Sequence, residues 1–230
     1  MPTDKPEMPV HWFLSCDSAT FEACKKDKKF PHLVALARAV NALKFIDSTM
    51  ELNDVLSGPT RFRDRMNTFF FASAILYEVL VLIRKMSQAF RDDEEFRKGL
   101  HRMSKSKAAR EIENQHLRAV RNRAVFHFDA SAFGDVIATG NLAAPFVNCV
   151  GHRNDDIHYA YADLATAAIL VGSGFAEPKF SRILETAMRN IRVLTSNFVT
   201  EAELLIATHL LRLGFVEYVG KPTGFATPNP

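Results

Sequence analysis

Residues that mark a secreted, zinc-binding or turn-rich protein are scarce in this sequence. Its three cysteines, Cys16, Cys24 and Cys149, include no C-x-x-C pair, which excludes a zinc ribbon and disfavours a disulfide framework. Gly and Pro number ten each among 230 residues, too few for a β-sandwich with many short turns. The N-terminal segment lacks the basic and then apolar pattern of a secretory signal. We therefore expect a reducing, cytoplasmic location.

Long apolar runs and familiar catalytic motifs are also missing. The most apolar run, residues 69–83, is interrupted by Glu78 and is shorter than the ~20 residues that a membrane span requires. The sequence contains no G-x-G-x-x-G, Walker-type loop, G-x-S-x-G elbow or H-E-x-x-H. We therefore expect neither a membrane partner nor a metal centre or cofactor.

The composition that remains is that of a helical globular protein. Hydrophobic residues make up 47% of the chain and charged residues 24%, close to the averages for globular domains. Phe accounts for 19 of the 24 aromatic side chains. Because Phe carries no polar group, this bias favours a dry core between helices.

Apolar residues at helical spacing predict an all-α, up-and-down bundle of about five to seven helices. The predicted helices cover about residues 32–52, 61–90, 108–126, 164–171 and 180–213, with a short one opening at 92–95. The segment 61–90 is apolar nearly all round, so we expect it at the centre of the bundle. His209 lies on the apolar stripe of the last helix and is predicted to be a core or interface histidine.

The pattern predicts one domain at residues 10–220, between a loose leader at 1–9 and a flexible tail at 221–230. Each end contains three prolines. Glycines and Pro145 punctuate residues 129–156, which predicts a small irregular insert. There, residues 146–150 and 157–161 could pair as a β-hairpin.

Basic residues are concentrated in one stretch, although the net charge of the whole chain is only +3. Residues 97–123 contain nine Lys or Arg against two Glu, a local net charge of +7, which leaves −4 for the remainder. Such a stretch suits a phosphate-bearing partner, because each neutralised phosphate releases counterions. The alternative is an ordinary solvated helix face.

A candidate site for phosphodiester chemistry lies at the far end of that stretch, in the sequence R-N-R-A-V-F-H at residues 121–127. His127 can take and give a proton near neutral pH. Arg121 carries a permanent charge and a planar fork of donors for phosphate oxygens. Asn122 can orient a phosphate or a ribose hydroxyl. Together these side chains could cleave RNA without a metal ion.

This segment resembles the motif of the HEPN superfamily, an Arg followed after four to six residues by a His, often with Asn directly after the Arg. In this chain five residues separate Arg121 from His127. The resemblance implies a helical bundle, metal-independent endoribonuclease activity, and a homodimer in which the motifs of two chains share one cleft. It also implies a role as a toxin, in phage defence or in RNA processing, with an antitoxin or regulatory protein as a further partner.

The surroundings of the motif supply further candidates and one departure from the family. The side chains predicted to guide RNA are Arg118, Arg123, Lys105 and Lys107, with His116 and Asp129 as accessory residues. Asp129 stands where some family members carry a modifiable Tyr, which makes a nucleotidyltransferase antitoxin doubtful. Its predicted role is to cap the next helix, and the alternative is to orient His127.

Helix geometry sets a condition on the motif. Six residues of a regular α-helix leave Arg121 and His127 ~120° apart around the axis. The two side chains can therefore converge only if the helix ends or distorts near Phe126, or if a second chain completes the site.

Two other Arg–His pairs fall within the family's spacing of four to six intervening residues. Arg110 and His116 have an acidic residue in the polar position. Arg153 and His158 enclose two aspartates that would repel phosphate, so a capped turn is predicted there. A metal-dependent hydrolase built on His152 and His158 ranks far behind RNA cleavage at Arg121 and His127 and behind a non-catalytic module.

The sequence thus predicts a HEPN-like endoribonuclease that acts on single-stranded RNA as a homodimer, through attack by the 2′-hydroxyl. The alternative is a non-catalytic HEPN-like module for dimerisation or for binding a nucleotide or a protein. Fold alone does not decide between them.

Overall fold

The structure, a computed structural model, describes residues 11–55, 61–126, 128–139, 159–172 and 178–220. Within these ranges the chain forms eight helices and one two-stranded sheet. The first elements are β1 (His11–Ser15), α1 (Ser18–Cys24), α2 (Phe30–Val55), α3 (Arg61–Met86) and α4 (94–105). They are followed by α5 (107–125), α6 (Ala130–Thr139), α7 (Ala160–Val171), α8 (Phe180–Arg212) and β2 (Val216–Gly220). The predicted all-α bundle is confirmed.

Helix α3 lies at the centre of the bundle, as its apolar pattern predicts. It packs against α2, α4, α5, α7 and α8, and α8 also packs against α2, α4, α5 and α7. Leu76, Leu80 and Ile83 of α3 are fully buried. Phe71 departs from the pattern, because 48% of its surface is exposed beside the exposed Phe45 of α2.

Helix boundaries follow the capping residues. Asp93 Oδ1 accepts the amide of Phe96 at 2.9 Å at the start of α4, and Ser106 Oγ accepts that of Ala109 at 3.1 Å at the start of α5. Helix α3 ends at Met86, four residues before the predicted end at Phe90. Phe90 is nevertheless buried, and its apolar character explains the overextended prediction.

His209 is a core histidine, as predicted. Its Nε2 lies 2.7 Å from Oδ2 of the buried Asp93, which also faces Lys29 at 3.4 Å and Arg212 at 3.6 Å. Burial alone would raise the pKa of Asp93. The amide of Phe96 and the charge of His209 outweigh burial, however, and the pKa lies below its ordinary value. This cluster joins the turn before α4 to the end of α8.

The sheet is formed by the two ends of the described chain rather than by the predicted insert. Strand β1 pairs antiparallel with β2, in a register that joins His11 to Gly220 and Ser15 to Val216. Gly214 has a φ of +93°, a left-handed conformation that lets the chain turn from α8 into β2.

Several predictions concern residues outside the described ranges, namely the leader 1–9, the tail 221–230 and residues 140–158 of the insert. Of the predicted hairpin, only residues 159–161 are described, and Ala160 begins α7 instead of a strand. Helix α1 was not predicted, and α6 was expected only as the helix that Asp129 would cap, without bounds, so the described ranges contain eight helices against an estimate of about five to seven.

Residues Arg63–Met86 of α3 are long and apolar enough to cross a membrane, and 56% of that apolar window is buried inside the bundle. The core helix of a soluble protein has the same properties, so a single such helix is weak evidence for a membrane protein. The helix is thus longer and more apolar than the expectation of a run too short for a span allowed, whereas its burial agrees with the expectation that α3 lies at the centre of the bundle.

Candidate functional site

Helix α5 carries the candidate motif and runs antiparallel to α3, with an ion pair near each end. Near its start, Glu113 accepts two hydrogen bonds of 2.8 Å from the guanidinium of Arg84. Near its end, Arg121 pairs with Glu78. Hydrogen bonding to Glu113 raises the pKa of Arg84 above its ordinary value. Both ends of α5 are thereby fixed to the central helix.

The guanidinium of Arg121 is held in place by Glu78 and Asn122, and not all of its N–H donors are engaged. Its Nε and one terminal nitrogen each lie 2.7 Å from Oε1 of Glu78, and the other terminal nitrogen donates to Oδ1 of Asn122 at 2.9 Å. The rings of Tyr77 and Phe126 lie 5.9 Å from its central carbon. Because a guanidinium has five N–H donors, two remain for another acceptor. The side chain is 30% exposed, so solvent reaches this site.

Helix α5 distorts and ends where the geometry of the motif requires it. Residues 121–125 form a π-helical turn, as do residues 97–101 of α4 and residues 113–117 earlier in α5, so this distortion is not particular to the motif. The helix ends at Val125, and the amide of Asp129 returns to the carbonyl of Arg123 at 3.0 Å. The predicted end or distortion near Phe126 is confirmed. His127 itself lies outside the described residues, so its convergence with Arg121 stays a prediction.

Asp129 caps helix α6, which is the role predicted for it. Its Oδ1 accepts the amide of Ser131 at 3.0 Å and also the hydroxyl of that residue. The hydroxyl of Ser131, the backbone amides and Arg123 together lower the pKa of Asp129. The carboxylate is therefore a fixed negative charge at the start of α6.

Arg123 is held by carboxylates on both sides. Its guanidinium lies 3.4 Å from Asp129 and 3.3 Å from Asp135 of α6. Helix α6, whose extent was not predicted, supplies the second of these carboxylates. Two neighbouring negative charges compete with phosphate, which weakens the predicted role of Arg123 in guiding RNA.

The other predicted RNA-guiding residues are spread along α4 and α5. Lys107 lies 3.7 Å from Glu111, one turn along the helix, and is fourteen residues or ~20 Å from Arg121. Lys105 and Arg118 are exposed and form no ion pair with any described residue. These cations can attract a polyanion to α5, but they do not form one compact cluster.

His116 lies on a different side of α5 from Arg121. Its Nδ1 donates to the carbonyl of Leu170 in α7 at 2.9 Å, whereas Arg121 faces Glu78 in α3. The structure therefore does not bring His116, predicted as an accessory residue, to the Arg121 site.

Two residues of α3 that the sequence did not indicate as functional, Glu78 and Tyr77, complete the Arg121 site. A signal for Glu78 was present, because a single carboxylate inside an apolar run needs a partner. Only the packing of α5 on α3 identifies that partner as Arg121.

No group of three metal-ligating side chains lies within the described ranges. His152, Arg153 and His158, which carried the metal and rival-motif hypotheses, are outside them. Cys16 and Cys24 are free thiols. No protein-family model, curated protein or solved structure matches this chain. The resemblance to HEPN domains thus depends on residues 121–127 and on the helical pattern.

Proposed function

We propose that the protein is a metal-independent endoribonuclease of HEPN-like type that cleaves single-stranded RNA at the end of α5. The main support is the guanidinium of Arg121, which Glu78 orients and which keeps two N–H donors for a phosphate. The exposed amide of Asn122 lies beside it, and His127 follows in the sequence. A toxin, defence or RNA-processing role, a cytoplasmic location and a regulatory protein partner belong to the same proposal.

The chemistry follows from these groups. The 2′-oxygen of a ribose attacks the adjacent phosphorus while one imidazole takes the hydroxyl proton. A new bond forms between the 2′-oxygen and phosphorus, the bond to the 5′-oxygen breaks, and a protonated imidazole gives that oxygen a proton. Arg121 stabilises the charge that accumulates on the phosphoryl oxygens, and Asn122 positions the phosphate. The products are a 2′,3′-cyclic phosphate and a 5′-hydroxyl.

A homodimer would supply both imidazoles, one from each copy. The apolar side chains near the motif support such an interface, because Phe126 and Phe128 are 48% and 82% exposed and flank His127 in the sequence. Ile137 of α6 is 49% exposed. A second copy of the chain that covered these side chains would remove apolar surface from water and bring two motifs together.

The proposal is tested with a 5′-labelled single-stranded RNA in the presence of EDTA. The variant His127→Ala should lose 10²–10⁴-fold in cleavage rate, the range for general acid–base groups, with about the same melting temperature. Arg121→Ala should lose about 10²–10³-fold. Arg38→Ala removes an exposed arginine of α2 and serves as the charge-matched control. Undiminished cleavage by His127→Ala, or activity that EDTA abolishes, would rule the mechanism out.

One observation favours the second candidate, a non-catalytic module for dimerisation or ligand binding. The charge of Arg121 is already matched by Glu78, as it would be in a purely structural ion pair. The two candidates differ in outcome, since a structural pair predicts no RNA cleavage by the wild-type protein at any salt concentration.

A further inference from the structure

A groove lined by both apolar and polar side chains lies on the side of the bundle where α5 faces α8. Two adjoining depressions of about 340 and 470 Å³ share Gln115, His116 and Asn190, and together they form one continuous groove. Lys179, Arg182 and Arg189 of the α8 side also line it. Both volumes lie in the range of ligand sites, which often occur between the helices of bundles.

The charge of this groove is mainly positive. Arg182 and Arg189 are exposed and form no ion pair within the described part of the chain, and the same holds for Lys179. The carboxylate that lines the groove, Glu111, lies 3.7 Å from Lys107 at its edge. The three cations of the α8 side therefore remain available to a negatively charged ligand.

Neutral hydrogen-bonding groups lie between these cations. The carbonyl of Leu170 can only accept, so Nδ1 of His116 carries the proton of that 2.9 Å hydrogen bond. In the neutral imidazole Nε2 is then an acceptor. Gln115 and Asn190 are exposed and add amide donors and acceptors. Amide and imidazole groups beside guanidinium groups suit a ligand that carries hydroxyls and bases as well as phosphates.

The spacing of the arginines favours a strand over a single phosphate. Arg182 and Arg189 are seven residues apart on the same face of α8, which separates them by ~10 Å along the helix. Two successive phosphates of a strand can occupy these two positions at once. Because Arg121 faces α3 and His116 faces α7, the groove is distinct from the proposed cleavage site.

We propose that the groove between α5 and α8 binds the sugar–phosphate backbone of a single RNA strand, as a second contact region for the substrate. The identification of the strand as RNA rests on the proposed function, but the groove itself does not include Arg121 or His127. Helix α5, which carries Arg121, also forms one wall of the groove.

Binding is measured by fluorescence anisotropy with a labelled 12-nucleotide single-stranded RNA, in a His127→Ala background that prevents the proposed cleavage. Removing two phosphate contacts with Arg182→Ala and Arg189→Ala should lower the affinity about tenfold at 0.1 M salt. It should also reduce the slope of log K against log salt by about 1.4, at ~0.7 per phosphate of a single strand. The control, Arg38→Ala with Arg91→Ala, removes the same charge from exposed sites outside the groove. Equal affinities of the two double variants would overturn the proposal.

A second double variant tests whether RNA is held by specific hydrogen bonds in the groove or only by the positive charge of the surface. Gln115→Ala with Asn190→Ala removes no charge, so it should lower the affinity severalfold while the salt slope stays unchanged. An unchanged affinity would mean that the surface attracts RNA only by charge, and the proposal would fail. Competition by AMP or inorganic phosphate as effective as that by unlabelled RNA would also overturn it, since the groove would then bind a single phosphate.

The outcomes distinguish this proposal from the proposed function. If the wild-type protein does not cleave RNA but the arginine variant still loses binding, the groove stands and the nuclease fails. If the wild-type protein cleaves RNA and the arginine variant binds as its control does, the nuclease stands and the groove fails.

Discussion

The two ion pairs between α3 and α5 use the same residue types but differ in how deeply the carboxylate is buried. In the pair of Arg84 and Glu113, the carboxylate is only 7% exposed and accepts two parallel hydrogen bonds. In the pair of Arg121 and Glu78, the side chains are 30% and 47% exposed. The two pairs therefore differ in the burial of the carboxylate and not in that of the arginine, because Arg84 is itself 41% exposed and Arg121 30%.

The difference in carboxylate burial shows how helix α5 can carry one ion pair that stabilises the fold and another that lies at the candidate site. A buried carboxylate must keep its partner, because an unpaired charge in the interior is costly. An exposed pair contributes little to stability, so its arginine can exchange part of its contacts for a phosphate. Helix α5 therefore combines a fixed start with an accessible end.

The largest effect on stability is expected from a substitution that breaks the ion pair of Arg84 and Glu113. Arg84→Ala leaves Glu113 buried without a partner and should lower the free energy of unfolding by about 3 kcal/mol, measured by urea titration. Lys85→Ala, at the neighbouring exposed position, is the control and should change it by less than about 0.5 kcal/mol. If Arg84→Ala costs no more than that control, the two pairs do not differ in the way described.

A buried carboxylate outside the α3–α5 interface tests whether burial explains the difference. Asp93 is 5% exposed and faces Lys29, His209 and Arg212. Asp93→Asn should cost about 2 kcal/mol at pH 7, because it weakens hydrogen bonds to a charged group. The exposed neighbour supplies the control, Asp92→Asn, which should be nearly neutral.

The lowered pKa of Asp93 also sets the sign of the pH dependence of stability. Since folding lowers the pKa of Asp93, its contribution is present above the unfolded-state value near 3.8 and is lost as the pH falls through the lower folded-state value. Wild type should therefore lose stability below about pH 4 more steeply than Asp93→Asn. Parallel pH profiles of the two proteins would contradict this assignment.

The fold was largely predictable because the core helices carry strong periodic patterns. The buried stripe of α8, from Phe180 to His209, follows the spacing of three and four residues read in the sequence. The extent of helix α6 was missed because Gly134 and a short apolar pattern resemble a loop. The sheet was missed because β1 and β2 are about two hundred residues apart in sequence, and strand pairing at that distance leaves no local signal.

The candidate site was predictable only in its residue types. The sequence indicated Arg121 and the helix end near Phe126, since both follow from local motif and helix geometry. It could not indicate that Glu78 pairs with Arg121 or that Asp135 pairs with Arg123, because these contacts depend on how separate helices pack. Long-range charge pairing is a property of the tertiary structure.

The smallest effect on stability is expected at the exposed pair, where the effect on RNA should be measurable. Glu78→Gln keeps an oxygen that accepts the hydrogen bond of Arg121 but removes the charge, so it should cost less than about 1 kcal/mol, and less still at 1 M salt. Relief of about 1 kcal/mol of repulsion toward phosphate should raise RNA affinity about fivefold in a His127→Ala background. The matched control is Glu203→Gln, because Glu203 is equally exposed at 47% and pairs with Lys44. Equal RNA affinities of the two variants would mean that Arg121 does not contact phosphate. A loss of stability from Glu78→Gln as large as that from Arg84→Ala would mean that the two ion pairs do not differ in their contribution to stability.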